Sequence, residues 1–282
     1  MIRDATPADL PAIQAFLTAQ RDQAMFPLAN LGAHGLTKGD FASPHDHALR
    51  IWLLDRSVIA LTRAGNLLPY LDGTPGLAPL AGALTGQTIA GAIGPAASTR
   101  PVIDALGLAD LPAATNRDEP GFALDLAALI VPDLAETTLR PLLPEDLALV
   151  TGWRETYIGE VLGSFGPEAR AKAEVDIASY MAQDSHRLLL HEGRPVALTG
   201  FNATLPGMVQ IGGVYTPTPL RGRGYARRAV ALHLAEARAK GATRAVLFAA
   251  SDVAARAYQA IGFRRAQDFT LFLLATPARI AA

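Results

Sequence analysis

The sequence predicts an α/β protein made of two tandem units, each a mixed, twisted sheet flanked by helices. Three observations lead there. The second half alternates apolar runs of strand length with longer runs of helical period. Within it, Val246-Leu247-Phe248 is continuously apolar, as expected of a central strand covered on both faces. The opening of the chain also recurs near half-length: Ile2-Arg3-Asp4-Ala5-Thr6-Pro7-Ala8-Asp9-Leu10 aligns with Leu139-Arg140-Pro141-Leu142-Leu143-Pro144-Glu145-Asp146-Leu147 at an offset of 137. Ala60-Leu61-Thr62 falls on Ala197-Leu198-Thr199 at the same offset, the footprint of a duplicated fold.

Both copies of the repeated segment read as a short strand, a proline turn and a helix. Further strands in the first half are predicted at 48–55, 57–64, 88–93 and 122–131, with a helix at 96–107. Gly82, Gly86, Gly91 and Gly94 are read as turns and close packing rather than as a mimic of a phosphate loop. In the second half the order is strand 137–142, helix 144–153 continuing through 154–162, and helix 167–182. Strands follow at 187–191, 195–203 and 208–215. Gly212-Gly213 in the last of these predicts a bulge or the close approach of another molecule, and Pro217 and Pro219 end its pairing. The helix at 224–240 repeats small or apolar residues at Ala226, Val230, Leu234 and Ala237 and stops at Gly241. A strand at 243–250, a helix at 252–261 and closing strands within 263–274 complete the unit. The boundary is expected near Pro132–Glu136, giving domains 1–134 and 137–282.

The 282 residues suit two ordinary domains, and 50% hydrophobic content supplies a core for each. No apolar run is long enough to span a bilayer, and the N-terminus lacks a signal-peptide pattern. The absence of cysteine excludes disulfides, thiolate metal sites and a Cys nucleophile, and fits a cytoplasmic protein. A net charge of −1 argues against general nucleic-acid binding.

Against that neutral background, seven basic residues lie between Pro219 and Arg244, with Glu236 the one acid among them. Arg221-Gly222-Arg223-Gly224-Tyr225-Ala226 opens the helix directly after an apolar strand. Two glycines let backbone N–H groups converge on one point, and the helix aims the positive end of its dipole there. The turn is therefore a seat for a diphosphate.

Arg221, Gly224 and Ala226 meet the Arg/Gln-x-x-Gly-x-Gly/Ala signature of the GNAT superfamily of acyl-CoA-dependent N-acetyltransferases, which the chain resembles from about Thr137 onward. A second motif of that family, Asn-x-x-Ala-x-x-x-Tyr-x-x-x-Gly-Phe, is matched by Ala254, Tyr258, Gly262 and Phe263, with Ser251 in the place of Asn and suited to cap a helix. The resemblance implies two tandem GNAT-like domains, of which the first, lacking both motifs, is a degenerate scaffold without a CoA site. It implies acetyl-CoA as cosubstrate and direct attack by a primary amine in a ternary complex, with no metal. The diphosphate is then held by backbone N–H groups of Arg221, Gly222, Arg223, Gly224, Tyr225 and Ala226, near Ser251 and Ala254. The pantetheine lies along Val214, Tyr215 and Thr216, with a backbone N–H near Val214 or Tyr215 facing the thioester oxygen. Tyr258 is the general acid for the leaving thiolate.

Trp153, Tyr157 and Glu160 recur at helical spacing and are candidates for the wall of an acceptor pocket. Glu155, Glu160, Asp176, His186 and His191 are candidates for the base by residue type. His45-x-His47 is read as a surface loop rather than a metal pair, and His233 as a structural residue. Partners are expected to be a small-molecule or peptide amine, with no nucleic acid and no membrane, and a homodimer is left open. Two other functions stay open as well: a CoA-binding sensor or structural protein whose catalytic step is lost, and acyl transfer from another donor.

Overall fold

The computed structural model describes residues 2–37, 45–133 and 136–281. In chain order the elements are β1 (Ile2–Asp4), α1 (Leu10–Ala19), α2 (Met25–His34), β2 (Leu49–Leu54), β3 (Ser57–Thr62), β4 (Asn66–Tyr70), α3 (Leu80–Ala83), β5 (Thr88–Pro95), α4 (Ala96–Ala105) and β6 (Ala113–Asp125). They continue with β7 (Thr137–Pro141), α5 (Leu147–Tyr157), α6 (Pro167–Ala182), β8 (His186–His191), β9 (Arg194–Leu205), β10 (Met208–Tyr215), α7 (Tyr225–Ala239), β11 (Arg244–Phe248), α8 (Asp252–Gln259) and β12 (Arg264–Arg279). They pack as two compact units, Met1–Glu119 with Gln267–Ala282, and Pro120–Ala266.

The first unit orders its strands β1-β2-β3-β4-β5, all antiparallel except the β4–β5 pair. Its last strand comes from the far end of the chain: Phe269–Leu273 pairs antiparallel with Pro95–Gly91 of β5. Phe272, Leu274 and Ile280 are buried there with Trp52, Ile59 and Leu67. A second cluster packs Ile13 and Leu17 of α1 against Leu49, Ile51 and Tyr70.

The second unit orders its strands β11-β10-β9-β8-β7, again antiparallel except for the β10–β11 pair. Its sheet is completed by Gly121–Asp125 of β6, antiparallel to β11. Val150 and Ile177 of α5 and α6 cover Leu188 and Leu198, while Val230 and Leu234 of α7 pack with Phe122, Val209, Leu247 and Tyr258.

The two units thus repeat one strand order, and the repeat reaches atomic detail. Arg3 donates to Asp9 at 2.6 and 2.8 Å, and Asp9 accepts the Thr6 N–H at 2.8 Å. At offset 137, Arg140 donates to Asp146 at 2.6 and 2.9 Å, and Asp146 accepts the Leu143 N–H at 2.8 Å. Each carboxylate ties the end of a strand to the start of a helix.

The structure departs from expectation in several places. The units change over at Glu119–Pro120 and Ala266–Gln267, not near Pro132–Glu136, part of which lies outside the described residues. The reason is burial: Phe122 and Leu124 belong to the second core, and Phe269 and Phe272 are buried within the first unit. β6 begins at Ala113, well before the expected strand at 122–131, and ends where the Asp125 carboxylate accepts the Ala127 N–H at 2.9 Å and starts a 3-10 turn. β4 was not expected; it contains Pro69, which sits beyond the parallel pairing with β5 that stops at Leu67–Ala92. The expected helix through 162 changes to a π turn over Ile158–Leu162 and stops at Gly163, whose φ is 72°. The closing strands within 263–274 are one strand, β12.

Candidate active site

The β10–β11 pairing opens a cleft. Their parallel register runs from Met208–Arg244 to Gln210–Val246 and goes no further, while the β10–β9 register shifts between Gly212 and Tyr215. A cavity of about 720 Å³ lies beyond the last pair. One wall is Ile211–Tyr215 of β10 with Thr216 after it, and the other includes Leu247 and Phe248 of β11. Of the bulge or close approach of another molecule expected at Gly212-Gly213, the bulge is present. The neighbours are the chain's own side chains: a Cβ on Gly212 would collide with Asn202, and one on Gly213 would come within 2.9 Å of His186 Nε2.

The cleft ends on the start of α7. Gly222 and Gly224 sit at φ 79° and 80°, the left-handed region that favours glycine. Gly224 is the N-cap, and no side chain caps the 15-residue helix. Its first N–H groups therefore lack side-chain acceptors, as an anion seat requires. Arg221, Arg223 and Arg227 line the same end of the cleft. The Nε atoms of Arg227 and Arg228 and the Thr216 hydroxyl are buried without a hydrogen-bond partner. Such orphaned donors in native structures call for an acceptor, and an anionic group at the turn suits Arg227, which lines the cleft where Arg228 does not. Arg227 was not anticipated individually, although it belongs to the basic run visible in the sequence.

Arg221, Gly222, Arg223, Gly224, Tyr225, Ala226, Val214, Tyr215, Thr216, Ser251, Ala254 and Tyr258 all line this one cleft. Ser251 caps α8, its hydroxyl accepting the Ala254 N–H at 3.2 Å. Tyr258, one helical turn after Ala254, is 8% exposed and meets Phe263 edge-on with ring centroids 6.1 Å apart.

Of the acceptor-wall candidates, Tyr157 and Glu160 reach the cleft and Trp153 does not. Trp153 packs instead with Val150, Ile177 and Leu198, its ring 6.0 Å from that of Tyr215. Glu160 and Val161 enter because the π turn carries the backbone round beyond α5; no periodic signal marks that turn. Arg221 spans the site, donating from Nη2 to Glu160 at 2.7 Å and from Nε to the Thr216 carbonyl at 2.9 Å.

The candidate bases separate by position. Glu155 pairs with Arg170 at the surface, and Asp176 is held by Arg154 and Lys172. His191 meets the Tyr225 ring edge-on, outside the cleft lining. His186 is buried, stacked on Tyr180 at 3.5 Å, with Nδ1 2.9 Å from the Ser185 hydroxyl and Nε2 without a partner. Burial first, then His233, Arg154 and Arg187, hold its imidazole well below the usual histidine range. Glu160 alone of these five lines the cleft.

The remaining histidines lie elsewhere. His45 stacks on His34 at 3.9 Å and tilts against His47 at 5.5 Å in the first unit. His233 stacks on Phe201 at 3.8 Å inside the second. Glu136, His191 and Glu192 bring ligand-type atoms within 4.8 Å of one another near the surface, a grouping that acidic side chains commonly form without an ion.

Residues 151–263 match the family model of the acetyltransferase (GNAT) family. Over that segment the chain carries a GNAT acetyltransferase domain. The matched segment contains the cleft and marks the chain as an acyltransferase. Solved GNAT structures share its fold over most of its length. A GCN5-related N-acetyltransferase from Sphaerobacter thermophilus aligns over 100% of this chain and 96% of its own, at 17% identity and a TM-score of 0.60. One from Kribbella flavida aligns over 81% and 90%, at 18% identity and a TM-score of 0.55. A GNAT acetyltransferase from Colwellia psychrerythraea aligns over 97% and 99%, at 14% identity and a TM-score of 0.54. Comparison with curated proteins returns no match. Among the described residues no helix is long and apolar enough to cross a membrane.

Proposed function

We propose that this GNAT protein is an acetyl-CoA-dependent N-acetyltransferase acting on a primary amine by direct attack in a ternary complex. The observation that carries the reading is the uncapped N-terminus of α7, behind two glycines at positive φ, at the end of a cleft between diverging parallel strands. Backbone N–H groups of Gly222–Ala226, with Arg221, Arg223 and Arg227 around them, hold the diphosphate. The buried Thr216 hydroxyl and the edge of β10 past Gly212 offer polar groups to the pantetheine. Acetyl-CoA supplies an activated thioester carbonyl.

This chain's residues then govern charge and protons. A β10 backbone N–H near Val214 meets the negative charge that gathers on the carbonyl oxygen as the amine nitrogen attacks. As the new C–N bond forms and the C–S bond breaks, the Tyr258 hydroxyl gives its proton to sulfur. The ammonium form of the acceptor first gives a proton to solvent or to a carboxylate, freeing the lone pair that attacks. Its nitrogen loses a second proton as the amide forms, balancing the one Tyr258 gives to sulfur. Tyr157 and Glu160 form the acceptor side. The first unit, whose β4–β5 connection carries the four-residue α3 in place of a long helix, serves as a scaffold without a CoA site. The absence of cysteine supports a cytoplasmic setting.

The test is a panel of primary amines with acetyl-CoA, following free thiol release. Amine-dependent release, lost in Gly224→Asp, supports the reading. CoA binding without turnover for any amine would favour a CoA-binding sensor instead.

A further inference from the structure

Glu160 is the one carboxylate among the described residues lining the cleft, whose other charged groups are Arg221, Arg223 and Arg227. A cationic amine approaching so basic a cleft needs a negative partner, and only Glu160 offers one. That carboxylate is engaged: Arg221 Nη2 donates to it at 2.7 Å, joining the π turn to the basic turn 61 residues later in sequence. The pair is weak in kind, since the two side chains are 40% and 45% exposed. Arg221 itself is anchored separately, through Nε to the Thr216 carbonyl and with its guanidinium 5.6 Å from the Tyr215 ring centroid. Its Nη2 can change partners while the side chain stays in place.

We propose that Glu160 recognises the ammonium group of the acceptor, and that Arg221 masks it until the diphosphate of acyl-CoA takes Arg221. The inference rests on the diphosphate seat at Gly222–Ala226. A diphosphate carries more charge than a carboxylate and accepts several hydrogen bonds at once, so it wins the exchange. Acyl-CoA then precedes the amine, and the acceptor belongs to the class of amines that are cationic in solution. The amine meets an unmasked carboxylate only when a donor is present to receive its attack. The irregular turn carrying Glu160 suits the role, since π turns inside helices cluster at functional sites.

The experiment is calorimetric titration of CoA into the full chain and four variants: Glu160→Gln, Arg221→Gln, the double variant, and Glu155→Gln. Glu155 is a nearby surface acid paired with Arg170, outside the cleft, and controls for removal of one negative charge. Binding to the unaltered protein tests the diphosphate seat by itself; its failure would sink that reading and this one together. Given binding, Glu160→Gln is expected to tighten CoA about two- to fivefold at low salt, with the gain shrinking as salt rises. Glu155→Gln leaves affinity unchanged, and Glu160→Gln adds nothing in the Arg221→Gln background. Unchanged or weaker CoA binding in Glu160→Gln, or an equal gain without Arg221, overturns the masking. With an amine accepted in the panel, Glu160→Gln raises its KM about tenfold or more with little change in kcat, the mark of a lost binding contact. An unchanged KM overturns the acceptor role, while silence from every amine counts against the transferase reading itself.

Discussion

Replacing His233 with Gln is expected to flatten the acid side of the stability profile. His233 lies on α7, 2% exposed and stacked on Phe201. Burial first, then Arg187 and Lys240, pushes its imidazole from an ordinary 6.5 down to about 3. Between those pH values the unfolded chain binds a proton that the native one does not. Stability from this residue is therefore complete above about 6.5 and is lost as pH falls toward 3. At about 1.4 kcal/mol per pH unit, going from pH 7 to about 4.5 costs about 2.5 kcal/mol at His233 alone. Gln does not titrate, so the variant should lose less stability over that interval by the same amount, whatever its stability at pH 7. Groups that do not interact with His233 titrate alike in both proteins and cancel in the difference. His186, held down in part by His233, is relieved in the variant and flattens the profile in the same direction. The assay is urea unfolding at several pH values in a Trp52→Phe background, which leaves Trp153 as the only tryptophan, reporting on the second unit. Parallel profiles for His233 and Gln would refute the reasoning, because they would mean that the native imidazole takes up its proton as readily as the unfolded one.

Three further outcomes are expected. CoA should raise the melting temperature of the unaltered protein and leave that of Gly224→Asp unmoved, because a carboxylate at a φ of 80° strains the turn and faces the seat; equal shifts in differential scanning fluorimetry would contradict the assignment. Tyr258→Phe should slow turnover about 10²–10⁴-fold with CoA affinity nearly intact; a steady-state rate equal to that of the unaltered enzyme would remove Tyr258 from the mechanism. Asp146→Asn should destabilise the second unit by about 1–3 kcal/mol in urea titration, since the 5%-exposed carboxylate holds both Arg140 and the Leu143 N–H. Asp9→Asn should cost the first unit less, because Arg3 is more exposed there; equal losses would show that burial does not set the cost.

The sequence by itself determined the local and repeated features of this protein. The helical period and its glycine stop outlined α7, and the succession of runs of strand and helical length outlined α6 and β8 to β10. The basic turn and the Ala254–Tyr258 spacing were legible because both belong to short contiguous segments whose geometry is set by neighbouring residues. The offset repeat was legible for the same reason, and the Arg–Asp clamp behind it spans only six residues in each unit. Tertiary structure alone decided what depends on distant partners. It assigned Phe122 to the second core and Phe272 to the first, because burial, not sequence position, decides which sheet a strand completes. It turned Trp153 inward against Tyr215 and brought Glu160 onto Arg221, a pairing made by a π turn that no periodic pattern announces. It also filled the space beside Gly213 with His186, so this glycine makes room for a buried ring on the next-but-one strand. Local geometry can be read along a chain; contacts between strands and turns far apart in sequence exist only once the core has selected which surfaces meet.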